Sequence, residues 1–312
     1  MLQEFFADSS LTVLDVGGRG GFDMIPKLHP FIDLFSFEPD PVSLEPLKKM
    51  YAGRSSFKSV AVYPFALSDF TGESVFHQAL HPSMSSLLPP DPKRFLESFG
   101  DVRHGNDWNE SMRTVSSITV KTERIDAFAA AHRLAAIDLL KLDTQGSELR
   151  ILKGAESLLR EKRIGMIYTE IQLLPLYKEQ AVFSEIDLYL RGLGYRFIDL
   201  RVYPEAIERH NSWRPGLYEE PKYAMGGDAV YVPDFSNGTN GISPERSALL
   251  LAAFGYLSDS RHYFSTYCGK NEKEIAAIFH EAARPGFSKR MKKLARRWVP
   301  PALARMLGKI RS

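Results

Sequence analysis

Residues 13–21 read Val-Leu-Asp-Val-Gly-Gly-Arg-Gly-Gly, an acid at the end of an apolar run followed at once by four glycines. The run from Leu11 to Val16 predicts a buried parallel strand. Gly17, Gly18, Gly20 and Gly21 predict a turn whose backbone can approach a ligand without interference from Cβ atoms. A dinucleotide fingerprint, G-x-G-x-x-G, would seat a pyrophosphate on the following helix N-terminus. Here Asp15 stands two residues before the first glycine, where it would repel that group. A cationic amino-acid ligand suits the position better, and S-adenosylmethionine carries an α-ammonium group for a carboxylate to meet.

The complementary signal is Phe35-Ser36-Phe37-Glu38-Pro39, whose Glu38 follows Asp15 by 23 positions. It reads as a second strand stopped by Pro39, with Pro41 near the start of a helix. A carboxylate at a second strand tip, about 20 residues beyond a glycine loop, can accept both hydrogen bonds of a ribose diol. Strand, loop, helix and strand in this order make the two signals stronger together than either is alone.

The remaining strands and helices alternate. Lys58 to Leu67 reads as a third strand ending at Ser68-Asp69, and Glu73 to Gln78 as an added strand. Val115 to Val120 shows strand alternation, Thr122 to Arg133 reads as a short helix, and Ile137 to Asp143 as the fourth core strand. A helix from Ser147 to Arg160, a strand from Ile164 to Ile171 and a helix from Phe183 to Leu193 follow. Tyr195 to Leu200 and Ala229 to Val232 read as the last strands. Such alternation predicts an α/β fold, a doubly wound and mostly parallel sheet with helices on both faces. Residues 79–114 lack periodicity and read as an insertion or lid, since so long a loop is usually functional or disordered. The expected organisation is one domain over 1–235, a helical extension over 243–283 and a basic amphipathic tail over 284–312.

At 312 residues and 44% apolar composition the chain can fill a sizeable core. A lone cysteine, Cys268, excludes an internal disulfide framework and a cysteine-based zinc site. No apolar run approaches the roughly 18 residues of a spanning helix, and Glu4 and Asp8 do not suit a signal peptide. The expected location is cytoplasmic. The net charge of +2 hides an asymmetry: residues 286–312 hold nine Lys or Arg and no acid, leaving 31 basic against 38 acidic residues elsewhere. Trp298, Leu303 and Ile310 interleave with those charges, as in a helix lying on an anionic membrane surface, although Pro300 and Pro301 interrupt the pattern. The opposing reading is a solvated terminus. No nucleic-acid reading motif accompanies the basic stretch.

The second dense cluster is Lys141-Leu142-Asp143-Thr144-Gln145-Gly146-Ser147-Glu148. Strand carboxyl ends form the ligand crevice of a parallel sheet, so Asp143 should open onto the same cleft as Gly17 and Glu38. Glu148 falls in the first turn of a helix, where the dipole favours a carboxylate. With Val13 to Gly21, Phe37-Glu38-Pro39, Ala66-Leu67-Ser68-Asp69 with Gly72, and Leu140 to Glu148 followed by Leu152-Lys153-Gly154-Ala155, the chain resembles the FkbM family of methyltransferases. The resemblance covers about residues 11–200 and is most specific in Lys-x-Asp-x-Gln-Gly-x-Glu. It implies a class I methyltransferase, Rossmann-like fold, S-adenosylmethionine as cofactor and methylation of oxygen, often on sugars or polyketide products. Gly18 and Arg19 depart mildly from the small or aliphatic residues more usual there.

The expected cofactor contacts are Asp15, Gly17, Gly18 and Gly21 for the methionine part, Glu38 for the ribose, and Ser68 or Asp69 for the adenine side. Asp143 would face the methyl group as base or orienting residue. Glu170 is its rival, and His81 and His77 are further candidates. Two carboxylates, Asp143 and Glu170, are too few donors to claim a metal site. Ser83, Ser85 and Ser86 are expected to close over a small-molecule or glycan acceptor, with 243–283 completing the lid. Trp108, Tyr177, Tyr203 and Trp213 could stack on sugar faces. The rival readings are an NAD-dependent oxidoreductase and a catalytically silent binding module.

Overall fold

The computed structural model describes residues 2–7, 9–53, 56–94, 105–203, 224–236, 238 and 241–283. The tail 284–312, residues 95–104 of the expected loop, Trp213 and the side chain of Trp108 lie outside them. The central sheet has seven strands: β1 Leu11–Val16, β2 Ile32–Phe37, β3 Ser59–Tyr63, β7 Ile137–Leu142, β8 Ile164–Gln172, β9 Tyr195–Val202 and β10 Gly226–Pro233. Their order is β3-β2-β1-β7-β8-β10-β9, and β10 alone runs opposite to the other six. The order reverses at β1 and β7, so their carboxyl ends open the crevice where ligands bind in such sheets.

Two apolar layers cover the sheet. On one face Leu14, Leu140 and Ile167 pack with Phe128, Leu152 and Ile186. On the other, Val13, Leu139, Met166 and Val230 meet Leu249, Leu250, Phe254 and Ile278. The helices Pro244–Phe254, Leu257–Cys268 and Glu272–Ala282 therefore fill the second face of the sheet. The expectation that 243–283 completes a lid is corrected: their apolar residues are consumed by the sheet. Among the described residues no helix is long and apolar enough to cross a membrane.

Arg246 fixes this layer. Its Nη1 donates to both oxygens of buried Asp138, at 3.0 and 2.8 Å, and to the Ser10 carbonyl at 2.7 Å. Breaking a buried ion pair from one side costs about 3–5 kcal/mol, and somewhat less where the partner is partly wet. Because Arg246 is 23% exposed, Arg246→Ala should lower unfolding free energy by about 2–3 kcal/mol in urea titrations.

Three local expectations change. The strand expected over 58–67 ends at Tyr63, because Pro64 lacks a ladder donor, and Ala66–Leu67 (β4) joins a second sheet. That sheet, ordered β4-β6-β5, contains Gly72–Ala79 (β5) and Thr114–Glu123 (β6). The helix expected over 147–160 splits into Glu148–Gly154 and Glu156–Arg160. Asp126 from the neighbouring helix Ile125–Ala131 caps the second piece, accepting from the Ser157 and Leu158 N–H groups at 3.1 and 3.2 Å. Finally, much of 79–114 is structured: Leu88 and Met112 bury against Leu176, Tyr177 and Met225. Those partners are distant in sequence, so no local periodicity announces them.

Candidate active site

A cavity of about 340 Å³ opens at the carboxyl ends of β1, β2, β7 and β8, within the usual span of small-molecule sites. Gly17, Arg19, Glu38, Asp143, Gln145, Glu170 and Tyr203 contribute to its wall. Its apolar part is formed by Phe37, Ala66, Leu67, Phe76, Leu87 and Ile151, so the second sheet supplies a wall that the first cannot.

The glycine loop is tied down by the sheet. The N–H groups of Gly17 and Gly18 donate to the Phe37 carbonyl at 3.2 and 3.0 Å, and that of Asp143 donates to Val16 O at 3.1 Å. A Cβ on Gly17 would lie 1.9 Å from the Asp143 carbonyl oxygen, and its φ is +77°. Only glycine lets β1 and β7 deliver their turns side by side here.

Asp15 lies beneath this loop and outside the cavity wall, only 1% exposed. Register explains why: Asp15 pairs across the sheet with Lys141 on one side and Ser36 on the other. Lys141 Nζ sits 3.1 Å from Asp15 Oδ1, 3.5 Å from Asp143 Oδ2 and 3.1 Å from the Gly17 carbonyl. The Ser36 hydroxyl donates to Asp15 Oδ2 at 3.2 Å. Burial alone would lower the Lys141 pKa, but Asp15 and then Asp143 more than offset it and hold the ammonium above its ordinary range. The acid expected to meet a ligand ammonium is thus already answered by one from the protein.

Glu38 is 5% exposed and on the wall. The Asp40 N–H donates to its Oε1 at 2.9 Å. Burial pushes its pKa up to about 7, the Asp40 charge adding to the rise while that N–H and Arg19 oppose it. Gly18 packs against Ser36 and Gly21 against Met50, both away from the cavity wall. Ser68 and Asp69 also stand behind the wall, with Ala66 and Leu67 exposed to it instead. Ser68 is buried, and its hydroxyl donates to Asp69 Oδ1 at 3.0 Å. A Cβ on Gly154 would come within 2.0 Å of the Ser68 carbonyl oxygen, which gives the Leu-Lys-Gly-Ala stretch a packing role.

Asp143 and Glu170 do share the wall. Asp143 is 49% exposed at its side chain, whereas Glu170 is buried. Burial, and then the charges of Asp143, Glu148 and Asp228, push Glu170 well above the carboxylate range. Glu148 does not reach the cavity: its Oε1 accepts from Thr144 N, Thr144 Oγ1 and Gly146 N at 2.8, 2.9 and 3.3 Å, closing the turn after β7. His81 is exposed, its Nδ1 2.6 Å from Ser83 Oγ, because the 3-10 turn Pro82–Met84 gives Pro82, Ser83 and Met84 to the wall instead. His77, on β5, also lies off the wall.

Of the expected roof serines, Ser83 and Ser85 line the cavity, and Ser86 is buried with its hydroxyl donating to the Gln145 carbonyl at 2.7 Å. Tyr177 is buried and donates to the Met84 carbonyl at 2.8 Å. Tyr203 lines the cavity with its hydroxyl donating to Asp228 Oδ1 at 3.0 Å. The sequence reading gave no separate role to Lys141, Gln145, Arg19 or Phe76. A signal existed for Gln145, which sits between the acid and Gly146 of the densest motif.

A buried carboxylate beside an apolar slot, with a loop held at the sheet's reversal point, fits a ligand that has both a diol and a flat ring. The chain is similar to proteins named as methyltransferases. The sequence pattern described as "Methyltransferase FkbM domain" matches residues 26–197, beginning just after the glycine loop. The chain is 28% identical over 182 residues to "2-O-methyltransferase NoeI" of Sinorhizobium fredii, covering 56% of this chain and 68% of that protein. It is 25% identical over 155 residues to "Methyltransferase sdnD" of Sordaria araneosa, covering 46% of this chain and 60% of that one. A solved methyltransferase FkbM from Methylobacillus flagellatus aligns with 15% identity and a TM-score of 0.41, over 72% of this chain and 43% of its own. With its pattern matched over more than half of its length, the chain belongs to the FkbM methyltransferase family.

Proposed function

We propose that the protein is an S-adenosylmethionine-dependent O-methyltransferase acting on a hydroxyl of a sugar, polysaccharide or glycosylated product. The observation that carries this reading is the convergence of Gly17, Glu38, Asp143 and Glu170 on one cavity at the β1/β7 reversal. The name of the NoeI relative supports oxygen as the acceptor atom.

In this reading Glu38 holds the ribose diol, and Phe37, Leu67, Phe76 and Ile151 enclose the adenine. The backbone at Gly17 and the Lys141-braced turn border the methionine part. When bound, S-adenosylmethionine supplies an electrophilic methyl carbon, which passes to the acceptor oxygen as the S–C bond breaks onto sulfur, leaving S-adenosylhomocysteine and a methyl ether. Asp143, the more accessible carboxylate, takes the hydroxyl proton and releases it to solvent. Glu170, pushed toward its protonated form by burial and by its acidic neighbours, offers a hydrogen bond to the acceptor. Two carboxyl groups driven apart by environment can divide acid and base work in this way. Holding both reactants in line removes much of the entropic barrier.

Calorimetric titration with S-adenosylhomocysteine and with NAD tests the donor. A diol donates to Glu38, so binding needs the ionised carboxylate, about a tenth of the population at pH 6 and nine-tenths at pH 8 if its pKa is about 7. S-Adenosylhomocysteine affinity should therefore be about tenfold lower at pH 6 than at pH 8, and Glu38→Gln should flatten the dependence. Preference for NAD would overturn the reading. Mass spectrometry of extracted polysaccharide and lipid-linked precursors after incubation with the donor locates any methyl added, and its absence from every fraction would favour a silent binding module. We further propose that the tail 286–312 gives peripheral contact with an anionic membrane, which vesicle co-sedimentation of the chain with and without those residues would test.

A further inference from the structure

Gln145 is where the turn after β7, the wall of β8 and the roof segment meet. Its φ is +57°, and that of Gly146 is +107°. A non-glycine residue held in the left-handed region costs on the order of 1–3 kcal/mol and persists only where its surroundings enforce it. Here contacts with Glu170, Asp143 and Ser86 do so. The Gln145 side-chain Nε2 donates to the two Glu170 oxygens at 3.2 and 3.0 Å and lies 3.5 Å from Asp143 Oδ1. Its carbonyl accepts from the Ser86 hydroxyl. Ser86 is in turn stitched to His77 by two backbone hydrogen bonds of 2.8 and 3.1 Å, so the roof rests on β5 and on Gln145 together.

We propose that Gln145 is a positioning residue: it sets the Glu170 carboxyl relative to Asp143 and, through Ser86, makes that setting depend on a seated roof over residues 82–88. The proposal rests on reading the cavity as the methyl-transfer site. Without the Gln145 amide, Glu170 keeps, among the described residues, only the Gln172 Nε2 donor, at 3.3 Å. It would then face the acids Asp143 and Glu148 from the β7 turn and Asp228 from β10, with the phenols of Tyr177 and Tyr203 nearby. Both phenols are themselves pushed upward by burial, so neither titrates near neutrality. The Gln145 amide acts in the opposite direction to this acidic ring, drawing the Glu170 pKa down.

The discriminating variants are Gln145→Asn and Ser86→Ala in the full chain. Asparagine tolerates the left-handed backbone and keeps an amide, but is one methylene too short to span both carboxyls. Infrared titration of the protonated Glu170 carbonyl band, assigned by its loss in Glu170→Gln, reads the setting without any acceptor. Gln145→Asn should move that titration upward by about one pH unit, since one hydrogen bond to a charged group is lost. Ser86→Ala should move it in the same direction by less. S-Adenosylhomocysteine affinity should stay within about threefold, while kcat on the accepting glycan fraction falls about 10–100-fold with little change in KM. An unchanged Glu170 titration, or a wild-type kcat in Gln145→Asn, overturns the proposal. Loss of S-adenosylhomocysteine affinity as large as the loss of kcat overturns it too, by assigning Gln145 to donor binding. If the wild-type protein binds no S-adenosylhomocysteine, the methyl-transfer reading fails instead, and the infrared shift still decides the role of Gln145.

Discussion

Asp143→Asn is expected to slow methyl transfer by about 10²–10⁴-fold, the usual contribution of a positioned general base. The asparagine is nearly isosteric but cannot take the hydroxyl proton. It also gives up the ion pair to Lys141, but that pair is 3.5 Å long and Asp143 is 49% exposed, so less than about 1 kcal/mol of stability should be lost. Donor binding should survive, because Glu38 and the Gly17 turn are untouched. Single-turnover methyl transfer paired with S-adenosylhomocysteine calorimetry separates the two effects. Turnover within threefold of wild type would remove Asp143 from the chemistry. A parallel collapse of donor affinity would make it a binding residue. Glu170→Gln provides the contrast: because burial and its acidic neighbours push Glu170 toward the protonated form, its amide replacement preserves a donor and should cost less than Asp143→Asn.

Gly17→Ala is expected to be the most damaging small change in the glycine loop. The added Cβ would meet main-chain oxygen at 1.9 Å, and main chain paired to Val16 cannot swing aside as a side chain could. Together with the left-handed φ, this should cost at least about 3 kcal/mol and separate the β1 and β7 carboxyl ends. Donor affinity should fall at least tenfold in any protein that still folds. Gly20→Ala is the control. Gly20 has φ +86° but nothing within 4 Å of its would-be Cβ, so only the conformational term of about 1 kcal/mol applies. Urea midpoints and S-adenosylhomocysteine affinities for the two variants check the difference. Equal effects would mean that close approach at Gly17 has no bearing on the site.

The strands, their parallel character and the crevice at their carboxyl ends were legible because hydrophobic alternation and glycine punctuation are local signals. Glu38, Gly17, Asp143 and Glu170 could be placed near one cleft for the same reason, each sitting at a strand tip. Less visible was the second sheet. Its β4 is two residues long, and it forms because Pro64 turns the chain from β3 toward β6. The described part of 79–114 was hidden likewise, since Tyr177 and Met225 bury it from afar.

From its amino acids alone, then, this chain specifies an α/β sheet of known polarity, a glycine turn after β1, and acids at the tips of four strands. What those acids do depends on which strands become neighbours. Lys141 and Asp15 are 126 positions apart, and only the β1–β7 register sets them side by side. That pairing buries Asp15 with its charge answered. The β8–β10 register likewise sets Asp228 beside Glu170, and the like charge pushes the Glu170 pKa upward. Charge and burial act through space over a few ångströms, so tertiary contact set the surroundings of acids that the sequence could only locate.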